Sequence, residues 1–263
     1  MKPSIVFIHG LWLHASSWEK WEDFFRTNEY ETYAPGWPGD ADSVEGTRAH
    51  AKGVAGVGVN EIVEHYASFI KTLPTKPVVI GHSFGGMIVE KLLGMDAVCA
   101  GIAIDAAPIK GVTALPLSAL KVASVALKNP ANWNRAVSLT PSEFKYGFGN
   151  TLSSEEAIDL FNRWTIPSPG KPLFQAALAN FVPNSAVKVN VKNEHRGPLL
   201  LIAGGKDQTV PASITRSTLK LYKHSNAITE YKEFEDRDHS LTINSRWQEV
   251  AEYSLSWLKS RSL

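Results

Sequence analysis

Hydrophobic and polar positions in this chain are grouped in blocks. Short unbroken apolar runs, Ser4-Ile5-Val6-Phe7-Ile8, Pro77-Val78-Val79-Ile80 and Leu199-Leu200-Leu201-Ile202-Ala203, recur between longer amphipathic stretches. A run this short, without internal alternation, fits a strand covered on both faces. Strands are predicted at 4–8, 31–34, 77–81, 98–105, 198–203 and 228–234, and helices at 15–25, 60–73, 84–93, 212–222 and 246–260. In the last of these, Trp247, Val250, Tyr253, Leu255 and Leu258 fall mostly on one stripe, as a helix docked on a core requires. Strands alternating with helices predict an α/β fold, a mostly parallel sheet of about six strands with helices on both faces.

Between 109 and 187 the strand rhythm stops, and Ala, Leu, Pro and aromatic residues dominate. This segment is expected to form a helical cap inserted into a core made of 1–108 and 188–263. Ser153-Ser154-Glu155-Glu156 marks one helix start within it, with a serine cap and carboxylates at the positive end of the dipole. No internal repeat or low-complexity linker interrupts the chain.

With 263 residues, 44% hydrophobic and 20% charged, one core with an insertion is expected. A formal net charge of +1 gives no basis for binding nucleic acid or an anionic membrane, which leaves small-molecule chemistry. The single cysteine, Cys99, lies in an apolar run and is read as core filler. No segment reaches about 18 consecutive apolar residues. Met1-Lys2-Pro3 leads straight into a strand without a leader pattern. A cytoplasmic protein, monomer or homodimer, is therefore expected.

Candidate chemistry sits at the strand ends. Gly81-His82-Ser83-Phe84-Gly85 follows a buried strand and precedes a helix, the pattern of a nucleophile elbow, in which a serine occupies a strained turn flanked by glycines. A serine hydroxyl is a weak nucleophile until a histidine takes its proton and a carboxylate orients that histidine. Asp207, in Gly204-Gly205-Lys206-Asp207, and His239, in Asp236-Arg237-Asp238-His239-Ser240, follow later strands in that order. Asp105 also ends a strand; Asp207 is favoured for its loop, Gly205 through Pro211. Asp236 and Asp238 are read as shaping the histidine turn. His9 is read as bonding loop backbone, His82 as pointing away from the serine, and His14 as a helix-start residue.

His9-Gly10-Leu11-Trp12 ends the first strand and reads as an oxyanion loop. The backbone N–H groups of Leu11 and Phe84 are the expected donors, with Trp12 as the alternative to Leu11. Trp133, Phe144, Phe148, Trp164, Phe174 and Phe181 of the insertion either line an apolar pocket or pack its own core. Trp12, Trp133, Phe144, Trp164 and Val210 are the candidates for substrate contact. Gly53 through Gly58 has phosphate-loop spacing but neither a preceding strand nor a following Lys-Ser or Lys-Thr. The histidines lack a His-Glu-x-x-His spacing. Neither a metal nor another cofactor is expected.

Through His9-Gly10-Leu11-Trp12, Gly81-His82-Ser83-Phe84-Gly85-Gly86 and Asp238-His239-Ser240, the chain resembles the α/β-hydrolase superfamily, specifically small esterase-like members with a helical cap. The resemblance covers nearly the whole chain and is weakest between 109 and 194, where members insert unrelated caps. The usual fold opens with two further strands, for which this chain has no room. The resemblance implies a carboxylesterase acting on small hydrophobic esters through an acyl-enzyme. The same triad serves lactonases, amidases, thioesterases, carbon-carbon bond hydrolases and perhydrolases, and a hydrolase-like small-molecule receptor is the non-enzymatic alternative. Dehalogenases and epoxide hydrolases carry an aspartate where this chain has Ser83. Plant hydroxynitrile lyases carry a lysine where it has Ser240.

Overall fold

The computed structural model describes residues 2–263. Its strands are β1 (Ile5–Ile8), β2 (Thr32–Tyr33), β3 (Val78–His82), β4 (Ala100–Ile104), β5 (Ala136–Val137), β6 (Ser168–Pro169), β7 (Leu199–Gly204) and β8 (Thr229–Phe234). Its α-helices are α1 (Glu19–Thr27), α2 (Val44–Ala49), α3 (Val59–Ile70), α4 (Phe84–Gly94), α5 (Leu117–Leu127), α6 (Pro141–Gly147), α7 (Ser154–Trp164), α8 (Lys171–Ala177), α9 (Ala212–Leu221) and α10 (Trp247–Lys259).

Six strands form one sheet in the order β2-β1-β3-β4-β7-β8, with every pairing parallel. The apolar runs divide across its faces with the period of two that a strand imposes. Ile5, Phe7, Val78, Ile80, Leu200 and Ile202 join one core with Trp21 and Phe25 of α1 and Val250, Leu255 and Leu258 of α10. Val6, Ile8, Val79, Leu199 and Leu201 join the other, with Ile62 and Tyr66 of α3, Met87 and Leu92 of α4 and Ile214 of α9. Helices therefore cover both faces, which is why the central strands carry no polar alternation. The two-residue β2 and the half-buried β8 lie at the edges.

Strand order reverses at β1, which has β2 on one side and β3 on the other. In open parallel sheets ligands bind beyond the carboxyl ends of the strands at such a switch point. Here that crevice lies between the turn after β1 and the turn after β3, the two places where sequence put Gly10 and Ser83.

The chain from β4 to β7 adds α5 to α8 and a small antiparallel pair, β5 with β6. Ser153 caps α7, its Oγ accepting the Glu156 N–H at 3.0 Å, and Thr140 with Glu143 forms a capping box on α6. These polar caps satisfy helix-end donors that otherwise lack partners. The β5–β6 pair escapes sequence periodicity because each strand has two residues. No helix among the described residues is long and apolar enough to cross a membrane.

Candidate active site

Ser83 stands between β3 and α4 at φ 57° and ψ −121°, a conformation that costs a non-glycine residue about 1–3 kcal/mol. The surroundings enforce it. Ser83 N–H donates to Ile104 O at 2.9 Å, and Ser83 O accepts from Ala107 at 2.9 Å and Met87 at 3.2 Å. A Cβ on Gly85 would lie 2.1 Å from Ile8 O, so only glycine lets the helix start approach β1 this closely. On the facing loop, a Cβ on Gly10 would sit 2.7 Å from Ser83 Cβ and 3.3 Å from Ser83 Oγ. Glycine there keeps the space over the hydroxyl clear.

His239 and Asp207 meet beside this turn. His239 Nδ1 lies 2.6 Å from Asp207 Oδ2, and the other Asp207 oxygen accepts the N–H groups of Thr209 at 2.7 Å and Val210 at 2.9 Å. These bonds assign the proton to Nδ1 and leave Nε2 free to accept one. Nε2 is buried and makes no hydrogen bond among the described residues. The His239 ring packs 4.4 Å from the His82 ring and meets the Phe148 ring edge-on at 4.7 Å, centroid to centroid. No hydrogen bond joins Ser83 Oγ to the imidazole; such bonds often shorten only when substrate arrives.

Asp105 follows β4 and approaches the same imidazole, its Oδ2 3.8 Å from His239 Nδ1, too far for a hydrogen bond. Burial, reinforced by the charge of Asp207, pushes the Asp105 carboxyl well above the usual carboxylate range. Burial, with the neighbouring His239, holds the His82 imidazole well below its usual range. His82, Asp105 and His239 offer ligand-type atoms within 4.8 Å of one another, the one such trio among the described residues. Nδ1 of His239 is already engaged by Asp207.

The loop after β1 is tied to the inserted segment through Trp12, whose φ of 66° is unusual for a bulky residue. Trp12 N–H donates to Ser168 Oγ at 2.6 Å, its indole N–H to Val137 O at 3.0 Å, and its carbonyl accepts from Ile166 at 3.0 Å. Three hydrogen bonds at about 1 kcal/mol each outweigh the ~1–2 kcal/mol cost of left-handed backbone. Ser168 occupies the Trp12 N–H, whereas the N–H groups of the other two candidates, Leu11 and Phe84, have no acceptor among the described residues. Replacing Ser168 by Ala leaves the Trp12 N–H buried and unpaired; we expect ~1–3 kcal/mol of destabilisation, read as a drop of several degrees in Tm.

The remaining sequence candidates divide by position. Phe144, fully buried, stacks on Phe148 at 5.0 Å, one ring removed from His239. Trp164 is buried in the core shared with Trp12 and Phe148. Val210 joins that core and holds Asp207 through its backbone. Trp133 packs on Phe174 at 5.8 Å within the insertion. Phe181, 83% exposed, neither lines a pocket nor packs a core, which corrects the reading of it above.

Asp238 is fully buried and accepts from Thr151 N and Oγ1 at 2.8 and 2.7 Å, and from Ser240 N and Oγ at 3.1 and 2.5 Å. It shapes the histidine turn and also fastens it to the insertion, a role sequence reasoning missed. His9 bonds loop backbone and pairs with Asp40 at 3.1 Å, and His14 caps the turn that starts at Ala15.

Ser83 is 4% exposed, Asp207 5% and His239 0%, so the site is nearly closed. Grooves of about 680 Å³ near Lys91 and Lys192, and about 310 Å³ near Lys121 and Tyr146, include none of the three among their lining residues.

A parallel sheet with a strained serine at its topological switch point, faced by a glycine loop and a histidine-carboxylate pair, defines the chain as an α/β protein of the hydrolase type. A sequence model of the Alpha/beta hydrolase family matches residues 5–253, and the chain belongs to that family. No curated protein matches it in sequence. Among solved structures, a monoacylglycerol lipase from Paleococcus ferrophilus is 22% identical, covering 98% of this chain and 96% of that one at a TM-score of 0.71. An extracellular α/β-hydrolase from a Paenibacillus species is 19% identical, covering 97% and 98% at 0.68. A methylesterase from Arabidopsis is 17% identical, covering 98% and 99% at 0.65. At these identities the likeness is one of fold.

Proposed function

We propose that the protein is a serine hydrolase that cleaves carboxylic esters of small hydrophobic substrates through an acyl-enzyme. The observation that carries this reading is the strained Ser83 turn together with the 2.6 Å contact of His239 with Asp207. Ser83 Oγ attacks the ester carbonyl while His239 Nε2 takes its proton, and Asp207 holds the imidazolium that forms. The Leu11 and Phe84 N–H groups, neither spent on a protein acceptor, receive the developing oxyanion. Collapse expels the alcohol with the proton from His239. A water activated by the same imidazole then releases the acid.

Chain segment 109–187 acts in this reading as the cap. Its aromatic side chains around Phe148 favour an uncharged substrate, and the names lipase and methylesterase among the structural neighbours agree with ester chemistry. The near-complete burial of Ser83 and His239 favours one competitor, a receptor that encloses a small hydrophobic ligand and turns it over slowly or not at all. Fluorophosphonate treatment followed by mass spectrometry, beside a short-to-long p-nitrophenyl ester series, separates the two. The proposal expects an adduct on Ser83 and turnover that falls with acyl length. Absence of both, with a ligand-induced rise in Tm, would put the receptor first.

A further inference from the structure

Asp105 is a buried carboxyl that the mechanism above does not use. It follows β4 with φ 43°, its N–H donates to Ile202 O at 2.8 Å, and its side chain is fully enclosed. One carboxyl oxygen, Oδ1, accepts the Gly204 N–H at 2.7 Å. The other, Oδ2, has no hydrogen-bond partner of its own among the described residues and lies 3.8 Å from His239 Nδ1. The single proton on Nδ1 is already directed at Asp207 Oδ2, 2.6 Å away.

Two buried carboxyl groups therefore crowd one imidazole nitrogen. No lysine or arginine pairs with either within 4 Å among the described residues. The other titratable groups facing them are His82, whose burial keeps it neutral, and Asp238, whose oxygens are spent on Thr151 and Ser240. Like charges held this close do not both ionise; one carboxyl keeps its proton. Asp207 has two backbone donors and His239 to stabilise its charge, whereas Asp105 has one backbone donor. The proton therefore belongs on Asp105, at the oxygen that lacks a donor.

We propose that Asp105 is a positioning residue held as the neutral acid, its Oδ2 hydroxyl donating to Asp207 and so fixing and partly discharging the carboxylate that orients His239. Burial and the charge of Asp207 act on the Asp105 carboxyl in the same direction. The kinetic consequence rests on the serine hydrolase reading. A carboxylate that shares a proton attracts the imidazolium less, and kcat/KM against pH reads that attraction.

The test compares Asp105→Asn, which keeps a donor toward Asp207 and an acceptor for Gly204, with Asp105→Ala, which removes both. In kcat/KM against pH, the acid limb of Asp105→Ala should move up by ~0.5–1 pH unit, and that of Asp105→Asn should stay with the wild type at no more than about tenfold lower activity. Coincident limbs for wild type and Asp105→Ala, or an Asp105→Asn limb displaced as far as that of Asp105→Ala, would overturn the proposal. So would an Asp105→Asn variant that loses activity while Asp207→Asn keeps it, because Asp105 would then be the ionised acid of a serine mechanism that still stands. Infrared difference spectra of wild type minus Asp105→Asn at neutral pH need neither turnover nor the Ala variant. A protonated-carboxyl C=O band lost on substitution supports the neutral acid, and its absence sinks it, whatever the labelling of Ser83 shows.

Discussion

Replacing Ser83 by Ala is expected to reduce kcat on a p-nitrophenyl ester by roughly 10⁴–10⁶ while leaving Tm within about 2 °C of the wild type. The two parts of this expectation have separate grounds. Ser83 Oγ makes no hydrogen bond among the described residues, and the residue is held through its backbone bonds to Ile104, Ala107 and Met87, all of which alanine keeps. Stability should therefore be insensitive. Turnover should not be, because without the nucleophile only the oxyanion donors and binding contribute, a residual of roughly 10³–10⁴ over water in serine hydrolases. Ser83→Gly extends the argument. Its φ of 57° is free of strain for glycine, so this variant should be as inactive as Ser83→Ala and more stable by about 1 kcal/mol. Undiminished activity in either variant would remove Ser83 from the mechanism. An inactive Ser83→Ala protein that melted far below the wild type would instead mark the serine as structural.

The sheet was legible because its buried strands spell themselves out as short apolar runs. Boundaries moved by a residue or two where backbone geometry intervened, as at β4, predicted to reach 105 and ended at Ile104 by the positive φ of Asp105. Ser83 was legible for a related reason: a strand, a glycine-flanked serine and a helix form one local signal, and that signal also fixes the position of the Phe84 N–H. What sequence did not reveal are contacts between residues far apart in the chain. Trp12 with Ser168 and Thr151 with Asp238 join the loops of the core to the insertion across 156 and 87 positions, and no periodicity encodes such pairings. Asp105 and Asp207 pose the same difficulty. They follow neighbouring strands, β4 and β7, and sequence treats them as rivals for one role. Their side chains converge on one imidazole nitrogen at 3.8 and 2.6 Å, a juxtaposition that no local pattern reveals.

A second large effect is expected away from the catalytic groups, at Glu90 on the buried face of α4. Its carboxyl is fully enclosed; Oε2 accepts from Tyr222 O–H at 2.8 Å and Oε1 has no partner among the described residues. Burial raises its pKa from 4.5 to about 8, opposed by the Tyr222 hydrogen bond and the charge of Arg196. The folded state thus binds the proton more tightly than the unfolded chain does, and linkage fixes the sign. Well below pH 4.5 both states are protonated and the group makes no pH-dependent contribution. As pH rises toward 8 the unfolded chain ionises first, and the fold loses about 1.4 kcal/mol per pH unit, up to ~5 kcal/mol across the window. Glu90→Gln keeps an acceptor for Tyr222 and cannot ionise. Any constant penalty for its amide cancels when one variant is followed through pH. The stability of Glu90→Gln relative to wild type should therefore climb by about 4 kcal/mol between pH 5 and pH 8, roughly 10 °C in relative Tm for a chain of this size. Parallel melting curves for the two proteins across that range would mean that Glu90 is already ionised inside the fold, with Arg196 supplying the charge that stabilises it. A gap that opens from the same pH but goes on widening above pH 8 would place the ionisation of Glu90 inside the fold higher still.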